Sequence, residues 1–260
     1  MIVSSKIALK FLFQIPRFNS SFPNRDPRKF ILILGPPGSG LGTYANLLCK
    51  DLKFNRISIS EEIRKLVRRK SMIKIDEKML KENLPVLTQG KIVTNDLAIE
   101  IIKEKLKETA SEHGVTIGGF PRNLVQAESY EKSFPIDLVV YLRVDEDILM
   151  ETLLGRRSCF KCGLVYNLCK IHRNDYELDK ILPKNEGRCD SCNERLSKRP
   201  DDNIETIYSR IYNYRSEGLK VLDYFKKKEL VYEFEPKKGV KDYPRFFEKA
   251  LKLLKNDVKT

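Results

Sequence analysis

Phe30-Ile31-Leu32-Ile33-Leu34-Gly35-Pro36-Pro37-Gly38-Ser39-Gly40-Leu41-Gly42-Thr43 is the stretch on which the reading of this chain turns. Five consecutive apolar residues leave no polar face, the pattern of a strand covered on both sides in a parallel sheet. The glycine cluster behind it lets backbone N–H groups converge on an anion. A helix from about Gly42 to Leu52 would add the positive end of its dipole. Gly35 and Gly40 stand at the G-x-x-x-x-G-K spacing of a phosphate-binding loop, with Gly38, Ser39, Gly42 and Thr43 completing it. Thr43 is the candidate Mg²⁺ ligand, one residue later than the usual hydroxyl. The lysine of the pattern is missing, because position 41 is Leu41. A lysine about 4 Å from a phosphate charge gains roughly 4 kcal/mol at an effective dielectric near 20. Realised in a transition state, that is about three powers of ten in rate. The backbone cradle survives the substitution; the cation does not.

Outward from this loop, short apolar runs at Val115–Ile117, Leu138–Leu142 and Leu230–Phe234 predict further strands. Helical periodicity predicts helices at Glu61–Lys70, Ile75–Gln89, Asn95–Lys107, Asp145–Leu154, Ile204–Phe225 and Arg245–Leu254. Strands alternating with helices make this an α/β chain with a parallel sheet and helices on both faces. Residues 156–199 break the alternation and read as an inserted module. Within it Cys159-x-x-Cys162 and Cys189-x-x-Cys192 form two pairs, a strong structural-zinc pattern. A metal suits a module of about 40 residues, which can hardly supply its own core. Cys169 and His172 in the spacer are read as spectators, and Cys49 as a core residue.

The net charge of +13 favours anionic partners. The basic residues are interspersed with acids along the chain, so nucleic-acid binding is not expected. No apolar run approaches the roughly 18 residues of a membrane span. Residues 1–25 carry Lys6, Lys10, Arg17 and Arg25, four serines and no acid. That composition resembles an organelle transit peptide, with an untargeted extension as the alternative reading. A mitochondrial protein is the expectation, a cytoplasmic one the alternative.

Further stretches, in order along the chain, resemble the adenylate kinase family of nucleoside monophosphate kinases. Gly119-Phe120-Pro121-Arg122 followed by Gln126 is similar to its monophosphate-binding signature, in which the arginine grips the AMP phosphate and the glutamine reads the adenine. Ile57-Ser58-Ile59-Ser60-Glu61-Glu62-Ile63-Arg64 resembles the start of the AMP-binding arm, with Arg64 as the second phosphate arginine. Ile59-Ser60 stands where the family has Thr-Gly. Lys91-Ile92-Val93, after Gly90, resembles the loop that packs on the adenine. Arg156, Arg199 and Arg210 match three arginines that surround the transferring phosphoryl group, and Asp201 and Asp202 are placed to hold them. Asp202 with Glu205 also makes a capping pattern for the next helix.

The resemblance implies the three-layer P-loop NTPase fold, with a five-stranded parallel sheet. It divides the chain into a core (26–57, 91–155 and 200–260), an NMP-binding arm (58–90) and a zinc-ribbon lid (156–199). It implies phosphoryl transfer from ATP or GTP to AMP giving ADP, Mg²⁺ travelling with the nucleotide, structural zinc, and a monomer. Three departures fall on the donor side. Leu41 replaces the loop lysine, Gly118 replaces an acid that organises the Mg²⁺ shell, and Thr152 replaces a lid-proximal arginine. The family's adenine loop is not recognisable around Glu235-Pro236-Lys237. Losing two charged groups should impair transfer more than folding or AMP binding. The alternative function is an inactive AMP sensor or scaffold. Lys161 and Lys198 are the candidates for a substitute cation.

Overall fold

The computed structural model describes residues 26, 28–68, 71–88, 91–109 and 111–256. The 1–25 extension lies outside the described residues, as does Gly90. Strand β1 (Lys29–Leu34) is buried along its whole length. Phe30, Leu32 and Leu34 point into one apolar cluster and Ile31 and Ile33 into another. That two-sided burial is why the run has no polar alternation.

The chain continues through α1 (Leu41–Leu52), β2 (Asn55–Ser58), α2 (Ile59–Val67), α3 (Glu77–Thr88), α4 (Asn95–Lys107) and β3 (Gly114–Gly118). After α5 (Leu124–Ser133) and β4 (Leu138–Leu142) comes α6 (Glu146–Gly155). The inserted module holds β5 (Arg156–Cys159), β6 (Val165–Asn167), β7 (Ile171–Arg173), β8 (Tyr176–Leu178) and β9 (Leu196–Ser197). The core resumes with α7 (Ile204–Asn213), α8 (Leu219–Lys226), β10 (Val231–Phe234) and α9 (Tyr243–Asn256). The main sheet has the order β10-β4-β1-β3-β2, every pairing parallel. Helices α1 and α9 pack on one face and α2, α4 and α8 on the other. This is the expected five-stranded α/β core.

The fifth strand, β2, has no apolar run of its own. Asn-Arg-Ile-Ser lies on a sheet edge, and only Ile57 is fully covered. The long helix expected over Ile204–Phe225 is interrupted. A single π turn, Tyr214–Gly218, separates α7 from α8. A Cβ on Gly218 would fall 2.6 Å from Tyr214 Cδ2, so the missing side chain lets the Tyr214 ring fold back over its own turn. There the Tyr214 hydroxyl bonds that of Tyr141 on β4. π turns of this kind are commonly found at functional sites. The helix cap is also corrected. Asn203, not Asp202, accepts the Thr206 N–H at 2.9 Å, which leaves Asp202 available to the site below.

Candidate active site

A cavity of about 610 Å³ lies where the carboxyl ends of β1, β3 and β4 meet the inserted module. This is the end of an open α/β sheet at which ligands bind. The phosphate loop forms one wall. Its Ser39 hydroxyl is buried and donates to the Pro36 carbonyl at 2.8 Å, so it braces the loop. Gly38 has φ +94°, and a Cβ there would sit 2.9 Å from both the Leu149 carbonyl oxygen and Thr152 Oγ1. Thr152 Oγ1 itself lies 3.1 Å from the Gly38 carbonyl. The hydroxyl also lies 2.9 Å from the Leu149 carbonyl of its own helix, so its single proton serves either acceptor, and a small polar side chain stands where the family resemblance implies an arginine. Gly38→Ala is expected to destabilise the chain by about 1–3 kcal/mol in urea unfolding, since strain and overpacking act together. An effect below about 0.5 kcal/mol would show that the loop relaxes freely. Leu41 turns its side chain toward the α1–α9 core cluster while bordering the cavity. Gly118 and Gly119 form the adjacent floor, and a Cβ at 118 would meet nothing within 4 Å.

Four arginines, Arg122, Arg156, Arg199 and Arg210, border the same cavity. Two aspartates organise them. Asp202 accepts from Arg156 Nε at 2.8 Å and from Arg156 Nη2, and lies 3.5 Å from Arg210 Nη1. Asp201 accepts from Arg64 at 3.1 Å and Arg210 at 3.3 Å. Arg199 Nε donates to the Ser158 hydroxyl at 2.9 Å. Arg122 Nε donates to the Gly119 carbonyl at 2.8 Å. Burial pushes Arg199 down to about 9, and Arg156 and Arg64 push the same way. Burial, then Arg156, pushes Arg210 down to about 10. Burial, then Arg64, lowers Arg122. Burial acts to raise Asp201, yet the surrounding arginines outweigh it and hold its carboxyl below the usual value. The site is an excess of crowded cations, and a polyanion would relieve that repulsion.

The expected AMP-side residues divide into two groups. Ile92 and Gly119 border the cavity with Arg122. Gln126 is buried behind them: its Oε1 accepts the Arg122 N–H and its Nε2 donates to the Val93 carbonyl, each at 2.9 Å. Asn123 caps this helix by accepting the Gln126 N–H at 2.9 Å. Ile59 is packed into the core and does not border the cavity, whereas Ser58 and Ser60 do. Lys91, at the start of this loop, does not border it either. Arg64 reaches the cluster through Asp201, and its Nη1 donates to the Ser60 carbonyl at 3.1 Å. The Arg68 guanidinium, just past α2, sits 4.3 Å over the Phe160 ring, so this arm and the inserted module touch.

Sequence reasoning missed two parts of the site. Arg56 on β2 makes a bidentate ion pair with Glu61, at 2.8 and 2.7 Å, on the cavity wall. The turn Lys238–Lys241 borders the cavity at its far end, with Gly239 at φ +56° and its carbonyl accepting from Tyr44 at 2.7 Å.

In the inserted module the Sγ atoms of Cys159, Cys162, Cys189 and Cys192 all lie within 4.8 Å of one another. The closest approaches are 3.4 Å, for Cys159–Cys192 and Cys162–Cys189. A tetrahedral zinc with Zn–S near 2.3 Å sets its sulfurs about 3.8 Å apart, so the set fits that ion. Cys169 is not in it, and His172 instead faces Asp179 at 3.3 Å. Lys161 and Lys198 are exposed and do not border the cavity.

The profile of the adenylate kinase family matches residues 33–230. An adenylate kinase of Treponema denticola is 34% identical over 200 residues, covering 77% of this chain and 88% of that protein. An adenylate kinase of Clostridium tetani is 31% identical over 229 residues, with 86% and 97% covered. A GTP:AMP phosphotransferase of Plasmodium falciparum is 30% identical over 232 residues, with 87% and 98% covered. A family profile over most of the chain and relatives at 30–34% identity place it: the chain belongs to the adenylate kinase family.

Proposed function

We propose that the protein is a nucleoside monophosphate kinase that moves a phosphoryl group from a purine nucleoside triphosphate, ATP or GTP, to AMP. The observation that carries this reading is the convergence of Arg122, Arg156, Arg199 and Arg210 on one cavity walled by the phosphate loop. Phosphoryl transfer asks little covalent chemistry of a protein; it needs alignment and charge neutralisation. The loop's N–H groups hold the donor phosphates. Arg122, with Arg64 behind it, holds the acceptor phosphate. Arg156, Arg199 and Arg210 stabilise the charge spread between them. The inserted module shields the reacting groups from water as a lid. Mg²⁺ arrives with the nucleotide. Thr43 would be its side-chain ligand, with no acid at Gly118, so phosphates and water would supply most of the others.

The four cysteines would hold zinc as a structural ion that leaves no open position. Chelating it should lower the melting midpoint by several degrees and abolish AMP-dependent turnover, with both restored by zinc. A chelator without effect on either would remove zinc from this reading. The composition of residues 1–25 supports import into mitochondria.

A second reading is favoured by Leu41 and Gly118 together: a protein that binds AMP without turning it over. Melting in the presence of nucleotides separates the two. The kinase reading expects a bisubstrate dinucleoside pentaphosphate to raise the midpoint far more than AMP and ATP do singly. Equal shifts from AMP alone and from the bisubstrate ligand would favour the sensor.

A further inference from the structure

Within the proposed kinase reading, we propose that Arg56 supplies the cation that position 41 lacks and contacts the donor's phosphates directly. Three observations meet on this residue. Its guanidinium lies at the first turn of α1: a Cβ on Gly42, next to Leu41, would sit 3.5 Å from Arg56 Nη2. It borders the same cavity as the phosphate loop and Gly118. Its Nε is buried without a hydrogen-bond partner among the described residues, although a buried N–H normally has one.

Glu61 fixes the group in place. The carboxylate takes one N–H from each terminal nitrogen, at 2.8 and 2.7 Å. The two outer Nη hydrogens are left for a phosphate oxygen, and the covered Nε–H would reach one once the side chain turns toward the cavity. A bidentate pair at the foot of the loop holds a planar cation with little freedom, which suits phosphate better than a flexible point charge. The carboxyl of Glu61 is itself held below its usual value: burial opposes this, but the hydrogen bond and charge of Arg56, with Arg199 and Arg64, prevail. The Glu61 carboxylate is therefore favoured in its charged form. The exposed Lys161 and Lys198 offer no comparable placement.

The test compares the zinc-loaded full chain with Arg56→Gln, Leu41→Lys and the double variant. Turnover from ATP, Mg²⁺ and AMP is measured together with equilibrium binding of ATP and of AMP. Thermal midpoints confirm that each variant is folded, and Arg56→Lys serves as a conservative partner. We expect Arg56→Gln to lower kcat at least 100-fold and to weaken ATP binding at least tenfold, with AMP affinity within threefold. Leu41→Lys should return at least tenfold of that loss in the Arg56→Gln background. In the parent it should add little, because two cations would then crowd one phosphate. Arg56→Gln, or Arg56→Met where the glutamine variant folds poorly, within threefold of the parent in both kcat and ATP affinity overturns the proposal; Arg56→Lys, which keeps the charge, should retain more of both than Arg56→Gln. Should the parent itself show no turnover, the kinase reading fails separately. Arg56 is then judged on ATP binding alone: selective loss upholds the contact and unchanged affinity overturns it.

Discussion

Asp202→Asn lowers the stability of the protein by about 3–5 kcal/mol in denaturant unfolding, the largest effect expected of any isosteric substitution in the site. The Asp202 side chain is 0% exposed and faces two arginines, Arg156 and Arg210. Asparagine keeps the shape and one acceptor but removes the charge. Arg156 then remains largely covered and close to Arg199 and Arg210 without its counterion, and Arg210 keeps only Asp201. An anion should partly rescue the variant: inorganic phosphate would bind among the uncompensated arginines and raise its midpoint more than it raises the parent's. A loss below about 1 kcal/mol would mean that the cluster is hydrated and its charges are not coupled as described.

Arg122→Met is the second large effect, and it runs in the opposite sense for stability. Arg122 is half-buried at the cavity, its Nε bonds only a backbone carbonyl, and desolvation and Arg64 both disfavour its charge. Removing it should leave the melting midpoint unchanged or slightly higher. In the kinase reading the same change removes the cation that faces the acceptor phosphate. A contact of roughly 4 kcal/mol at an effective dielectric near 20 corresponds to about a 10³-fold fall in kcat/KM for AMP. This trade of activity against stability is what a preorganised anion site demands. A fall of less than tenfold would place the AMP phosphate elsewhere. A large drop in midpoint would make Arg122 a structural residue.

The parts of this fold that rest on local sequence were legible. Phe30–Leu34 is buried on both faces and shows it as an unbroken apolar run. The glycine loop after it and the two cysteine pairs carry fixed spacings that geometry requires. Where the reading fell short, the deciding partner lies far along the chain. Strand β2 is defined by pairing Asn55–Ser58 with Val115–Gly118, which its own polar residues do not announce. Asp202 reads two ways in the sequence, as a holder of the arginines and as a helix cap with Glu205, and only the contact with Arg156, 46 residues away, decides for the first. Ile59 stands at a position read as nucleotide-facing, and the helical phase of α2 turns it into the core. The turn at Gly239 is tied to the helix behind the glycine loop by the Tyr44 hydroxyl, 195 residues earlier. Arg56 was missed for the same reason. A lone arginine on a short edge strand has no signal until the fold sets it against Gly42.

The most direct test of the kinase reading is ADP formation by the zinc-loaded full chain, followed with AMP and Mg²⁺ and either ATP or GTP as donor. Saturable, AMP-dependent product is predicted: two ADP for each ATP consumed, or one ADP and one GDP for each GTP. Absence of AMP-dependent product with both donors, from protein that binds AMP and triphosphate, would contradict it and leave the arginine cluster as a binding site alone.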